Sequence, residues 1–184
     1  MTTIEKDLVR QLVDGTIDPQ DARGLLKMET KDTERFWTYL EVLQERVPWD
    51  ERILLRISEH LYVVAKPDNG RIVKCDCGHE FGDYRANWKS EARLRVKTSA
   101  EEFADVYFPE AAAPEPLWNE IREFYCPGCY AQLAVEVVPP GYPLIFEILP
   151  DLDRFYRDFL GRPLGDEAGD WYQDKTLEKT GTWL

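Results

Sequence analysis

The chain has 184 residues, of which 43% are apolar, enough for a single core and too many for a disordered chain. Asp and Glu outnumber Lys and Arg by 35 to 23, and the net charge of −12 argues against nucleic acid and anionic membranes as partners. No apolar run nears the roughly 18 residues that span a bilayer, and Met1-Thr2-Thr3-Ile4-Glu5-Lys6 lacks the basic and apolar regions of a signal peptide, so a soluble cytoplasmic protein is expected.

Ile4, Leu8 and Leu12, with Val9 and Val13, make a helical stripe that Gly15 ends. Asp18-Pro19 predicts a second helix, Asp18 capping and Pro19 at the first position, with Ala22, Leu25 and Leu26 as its apolar residues. Asp32 is the expected cap of a longer helix over 33–46, with Phe36, Leu40 and Leu43 on one face, broadened by Trp37 and Tyr39, and Pro48 as the stop. The period then changes. His60 to Ala65 and Arg71 to Lys74 flank Pro67-Asp68-Asn69-Gly70, which reads as a β-hairpin. Ala92, Leu94 and Val96 alternate with Arg93, Arg95 and Lys97, predicting a strand with one basic face. A short helix over 99–107 is expected under a Thr98 or Ser99 cap, then an Ala/Pro-rich loop from Ala111 to Pro116. Ile121 to Tyr125 reads as a strand, as do Leu133, Val135 and Val137 in alternation. Asp151 caps a last helix with Leu152, Phe155, Tyr156 and Phe159, closed by Gly161 and Pro163. Residues 165–184 are polar, with isolated Trp171, Tyr172 and Trp183.

The four cysteines fall in two tight pairs, Cys75-x-Cys77 and Cys126-x-x-Cys129. In a reducing compartment such pairs hold a metal more often than they form disulfides. Zinc takes four donors in a tetrahedron, and each pair supplies one edge from a turn: Gly78 follows the first, and Pro127-Gly128 lies inside the second. Four thiolates close the coordination sphere, which points to a structural metal. Three other readings stay open: a Cys₃His site that uses His79, a redox pair at Cys126 and Cys129, or buried thiols. Two hairpins with a cysteine turn each make a zinc-ribbon-like layout. The fold expected is α+β: a helical region over 1–56, a zinc-ribbon-like β region over 57–145, a C-terminal helix over 146–164 and an extended tail over 165–184.

Catalytic chemistry finds little support. His60 opens a strand and reads as structural, His79 as a hydrogen-bonding neighbour of the metal turn, and Asp151 and Asp153 as helix-capping groups. Neither G-x-x-x-x-G-K-[ST] nor G-x-G-x-x-G occurs. No catalytic or cofactor-binding residue is therefore assigned. The stripe Arg93, Arg95, Lys97 reads as a solvated face or as a site for an acidic partner. With 6 Trp, 9 Tyr and 8 Phe, residue types enriched at interfaces, the composition suits a subunit.

Several strings are specific to one family: Val13-Asp14-Gly15 with Ile17-Asp18-Pro19, Pro48-Trp49-Asp50, Cys75-Asp76-Cys77-Gly78-His79-Glu80-Phe81, Asn87-Trp88-Lys89, Ile121-Arg122-Glu123 and Cys126-Pro127-Gly128-Cys129. Over about residues 10–165 the chain resembles the acetone carboxylase γ-subunit family. The resemblance implies a small chain in an (αβγ)₂ enzyme that adds bicarbonate to acetone, giving acetoacetate, with ATP and manganese handled by the α and β large subunits. It implies zinc on Cys75, Cys77, Cys126 and Cys129, and no catalytic residue in this chain. Acetophenone carboxylase has a comparable small subunit, so the ketone stays open. A free-standing zinc-ribbon interaction module and a small enzyme with catalytic zinc are the rivals. The tail, through Trp171, Tyr172 and Trp183, is expected to lie on a large subunit.

Overall fold

The run Leu61-Tyr62-Val63-Val64 is buried along its whole length, the mark of a strand covered on both faces. In the computed structural model it forms β2 (Leu61–Ala65), inside an antiparallel sheet ordered β1-β2-β3-β4 with β1 Ile53–Arg56, β3 Arg71–Cys75 and β4 Glu80–Asp83. The structure describes residues 5–27, 34–68, 70–109, 112–165, 167, 169 and 173–181. Ile4, the cap expected at Asp32, the turn residue Asn69, Ala111 and the aromatics Trp171, Tyr172 and Trp183 lie outside them.

The two-residue period of β2 sorts the core. Tyr62 and Val64 face Leu40, Leu43 and Ile53. They meet α3 (Glu34–Gln44), which α1 (Lys6–Val13) and α2 (Pro19–Lys27) join through Val9, Leu25 and Val42. Asp18 caps α2 as expected, its Oδ1 accepting from the Gln20 N–H at 2.8 Å. Leu61 and Val63 face the other way. Paired with Cys75 and Val73, they pack against Phe124 and Leu133 of a second sheet, against Cys126 in the turn between its last two strands, and against Leu152 and Tyr156.

That second antiparallel sheet runs β5-β6-β7, with β5 Arg93–Lys97, β6 Glu120–Tyr125 and β7 Gln132–Val138. Between β5 and β6 lies α4 (Ala100–Ala104), where Ser99 and Glu102 form a reciprocal capping box. The last helix starts at α5 (Leu152–Arg154) and continues as a π-helical turn over Phe155–Phe159. Tyr156 fixes it to the first sheet by donating its hydroxyl to the Leu54 carbonyl at 2.8 Å.

Four expectations change. Strands β1 and β4 are additions to the expected elements. On β5 the basic face is not wholly solvated: Lys97 is buried beside Glu123, 3.6 Å away, while Leu94 and Val96 are exposed. Of the two acids expected to cap the last helix, Asp151 does so, accepting from the Arg154 N–H, but Asp153 is buried against Arg71. The tail is not extended throughout. Thr176–Thr180 form a helical turn, α6. It sits on this chain's own β4 region: Asn87 N–H donates to Thr176 Oγ1 at 2.8 Å, and Lys179 Nζ to the Phe81 carbonyl at 2.7 Å.

Candidate metal centre

The first cysteine turn is the connection between β3 and β4. Cys75 ends β3 on the face toward the second sheet, and its N–H donates across the turn to the His79 carbonyl at 2.8 Å. Gly78 N–H donates to the Cys75 carbonyl at 2.9 Å, and Gly78 has φ of 98°, the left-handed region that favours glycine. The second turn joins β6 to β7. Cys126 N–H donates to the Ala131 carbonyl at 2.9 Å, and the Gly128 N–H points at Cys126 Sγ from 3.4 Å. Each turn therefore closes on itself through its own backbone amides and presents its pair of sulfurs from one end of a hairpin.

The two sheets bring the turns face to face. Cys75 Sγ lies 3.8 Å from Cys129 Sγ, and Cys77 Sγ lies 3.7 Å from Cys126 Sγ. All four sulfurs fall within 4.8 Å of one another. A tetrahedral site with Zn–S of about 2.3 Å has S···S edges of roughly 3.8 Å. The donor set fits zinc in number, softness and spacing. Cys75 and Cys126 are buried and Cys77 and Cys129 exposed, so the cluster straddles the protein surface. Among the described residues, no other group of three or more His, Cys, Asp or Glu side chains converges in this way.

Burial pushes the thiols of Cys75 and Cys77 up. At Cys129 burial acts in the same direction, but the Ala131 N–H and the neighbouring thiols outweigh it and draw the group down. A bound dication would supply the positive charge that keeps its thiol ligands deprotonated.

A second layer of residues holds the turns. Trp49 Nε1–H donates to the carbonyls of Cys75 and Asp76 at 3.2 and 3.1 Å. His60 Nδ1 meets Asp76 Oδ2 at 2.7 Å, and Cys75 Sγ approaches Asp76 Oδ1 at 3.2 Å. His60 thus is more than the strand residue expected, and Trp49 carries no signal for the site beyond its place in Pro48-Trp49-Asp50. His79 sets its ring edge against Phe81, centroids 4.9 Å apart. The residues after Cys129 turn into β7 and not into a helix, and each of Cys126 and Cys129 is set against a cysteine of the other turn. A thioredoxin-like C-x-x-C opens a helix after a strand, which this one does not.

The family described as the acetone carboxylase gamma subunit matches this sequence over residues 47–160, the stretch that contains both cysteine turns. The chain belongs to that family. The acetone carboxylase gamma subunit of Xanthobacter autotrophicus is 42% identical over 158 residues, covering 85% of this chain and 93% of the relative. The acetophenone carboxylase beta subunit of Aromatoleum aromaticum is 35% identical over 79 residues, 42% of this chain and 61% of the relative. Both relatives are subunits of enzymes named for carboxylating ketones. In this chain no helix among the described residues is long and apolar enough to cross a membrane.

Proposed function

We propose that this chain is the zinc-holding γ subunit of an ATP-dependent ketone carboxylase, acetone being the substrate and acetoacetate the product. Its part is structural. Cys75, Cys77, Cys126 and Cys129 would hold the zinc, which when bound supplies a cross-link between the two hairpins. The observation that carries this reading is the closure of the site: four sulfurs within 4.8 Å of one another leave no open position of the kind catalytic zinc keeps for water or substrate. Trp49, Asp76 and Gly128 hold the turns in place. ATP and manganese chemistry belongs to α and β large subunits of a cytoplasmic (αβγ)₂ assembly, where a covering subunit helps keep water from phosphorylated intermediates. The acidity of the chain disfavours nucleic acid and membrane partners.

The test is co-expression with the large subunits. A stable complex, one zinc per γ chain by elemental analysis, and an isolated chain inert toward ATP with bicarbonate, acetone and Mg²⁺ or Mn²⁺ are expected. Turnover by the chain alone, or failure to join the large subunits, overturns the reading. The 35% identity to an acetophenone carboxylase subunit favours one second reading, an aryl-ketone enzyme, and comparing acetone with acetophenone in the assembled enzyme decides between them.

A further inference from the structure

Strand β5 is the outer strand of its sheet. Among the described residues, no backbone hydrogen bond is made on its far edge. Its register with β6 puts Leu94 beside Phe124 and Val96 beside Arg122 on one face, with Arg93 beside Tyr125 and Arg95 beside Glu123 on the other. Phe124 is fully buried, yet Leu94 and Val96 are 48% and 39% exposed. Arg93 lies 5.0 Å over the ring of Tyr130. Arg95 stands 3.9 Å from Glu123 with 56% of its side chain exposed. Arg93, Leu94, Arg95, Tyr125 and Tyr130 line a cleft of about 260 Å³.

Proteins often guard an edge strand with cations alone. Here the cations alternate with exposed branched aliphatics, which guard nothing. The strand is also opposite in sign to the chain that carries it, whose net charge is −12. A second copy is a poor occupant, because every antiparallel self-pairing that keeps like faces together sets Arg or Lys against Arg or Lys, and like charges directly opposite destabilise a sheet.

Resting on the subunit reading above, we propose that an extended acidic segment of a large carboxylase subunit adds to β5 as a further strand. Its carboxylates face Arg93 and Arg95, and its apolar residues face Leu94 and Val96. Backbone hydrogen bonds supply the affinity and the alternating side chains the choice of partner, as in other strand additions. Tyr130, the platform under Arg93, belongs to the second cysteine turn, so the metal centre and the docking edge meet at that turn.

The experiment co-expresses the full chain with its large subunits, as wild type, as Arg93→Glu/Arg95→Glu and as Leu94→Ser/Val96→Ser. Lys97, being buried, is left alone. Zinc content and circular dichroism of each free chain report folding. Charge reversal is expected to weaken the complex roughly tenfold or more and to flatten its salt dependence; the polar pair weakens it with the salt dependence kept. Hydrogen exchange on the wild-type complex, which needs no variant, should slow at residues 93–97 relative to the free chain. If both folded variants bind like wild type, or if exchange over 93–97 is unchanged on assembly, β5 is only a guarded edge: the inference falls and the subunit reading stands. If wild type itself fails to bind the large subunits, both fall. A homodimer of the free chain that charge reversal dissolves assigns β5 to a second copy and overturns the proposal.

Discussion

The guanidinium of Arg71 sits 2.5 Å from the carboxylate of Asp153, a residue 82 positions away, with only 3% and 6% of the two side chains exposed. It ties β3, the strand that delivers Cys75, to the first turn of the last helix. A buried pair gains little over a well-packed apolar pair, but removing one partner strands a buried charge at a cost of about 3–5 kcal/mol. Asp153→Asn should therefore lower unfolding stability by roughly that amount in urea titrations. Arg71→Met/Asp153→Leu together should recover most of it. A double variant no more stable than the single one would show that the charges do more here than join two elements.

Tyr156 gives the fold an alkaline limit. Burial pushes its phenol up to about 12, with Arg52 and Arg71 pulling the other way, against about 10 in an unfolded chain. Between these values the unfolded chain has lost the proton and the folded chain keeps it. The contribution is complete below about pH 10 and is lost as pH rises toward about 12. Tyr156→Phe should remove this slope and cost about 1 kcal/mol at neutral pH, through loss of the bond to the Leu54 carbonyl. Equal slopes for the two proteins in denaturant titrations across pH would refute the assignment.

Two glycines should respond in opposite directions. A Cβ on Gly128 would meet His79 Cβ at 3.1 Å and Cys77 Sγ at 3.3 Å, forcing the cysteine turns apart. Gly128→Ala should weaken zinc retention roughly tenfold, the usual scale for the layer behind a metal site, as read by competition with a chromophoric chelator. Gly24, inside α2, has nothing within 4 Å of such a carbon. Gly24→Ala should stabilise the protein by up to about 1 kcal/mol and leave zinc retention unchanged.

Residues 173–181 clamp the β4 region. Lys175 N–H donates to the Arg85 carbonyl at 2.8 Å, and Asn87 N–H to Thr176 Oγ1 at 2.8 Å. Deleting residues 173–184 should speed amide exchange at Asn87 and cost on the order of 1 kcal/mol, with zinc content unchanged. Unaltered exchange at Asn87 would count against the clamp.

The cysteine cluster is legible from sequence alone, because each edge of a tetrahedron comes from one short turn and C-x-C and C-x-x-C are local patterns. The layer that supports it is not. Trp49 and His60 reach the first turn from either side of β1, and nothing local in the sequence announces a donor aimed at a carbonyl 26 residues on. Strand β1 hides because Ile53-Leu54-Leu55 has neither a two- nor a 3.6-residue period; its first two residues are both buried. Strand β4, Glu80-Phe81-Gly82-Asp83, has one good strand former, Phe81, among three poor ones. It owes its place to pairing with β3 and to the Lys179 ammonium beside Gly82, whose φ is 90°. On β5 the alternation matches the strand, and the solvated face does not. Phe103 and Ile121 are fully buried, and Lys97, whose register partner is Ile121, is enclosed with its charge near Glu123.

The four candidate metal donors lie on two separate turns, Cys77 and Cys126 being 49 residues apart. During synthesis at about 5–20 residues per second, the first turn leaves the ribosome several seconds before the second. Over that interval the nascent chain offers a cation two sulfurs and no cage. With the metal held as proposed, tight capture would wait until Cys129 has been made and the two turns brought together, so loading would be a step that no chain lacking the second turn can perform. With zinc held as proposed, a chain cut short before Cys126 would carry no metal, and metal content would mark the chains in which both turns have been made and joined.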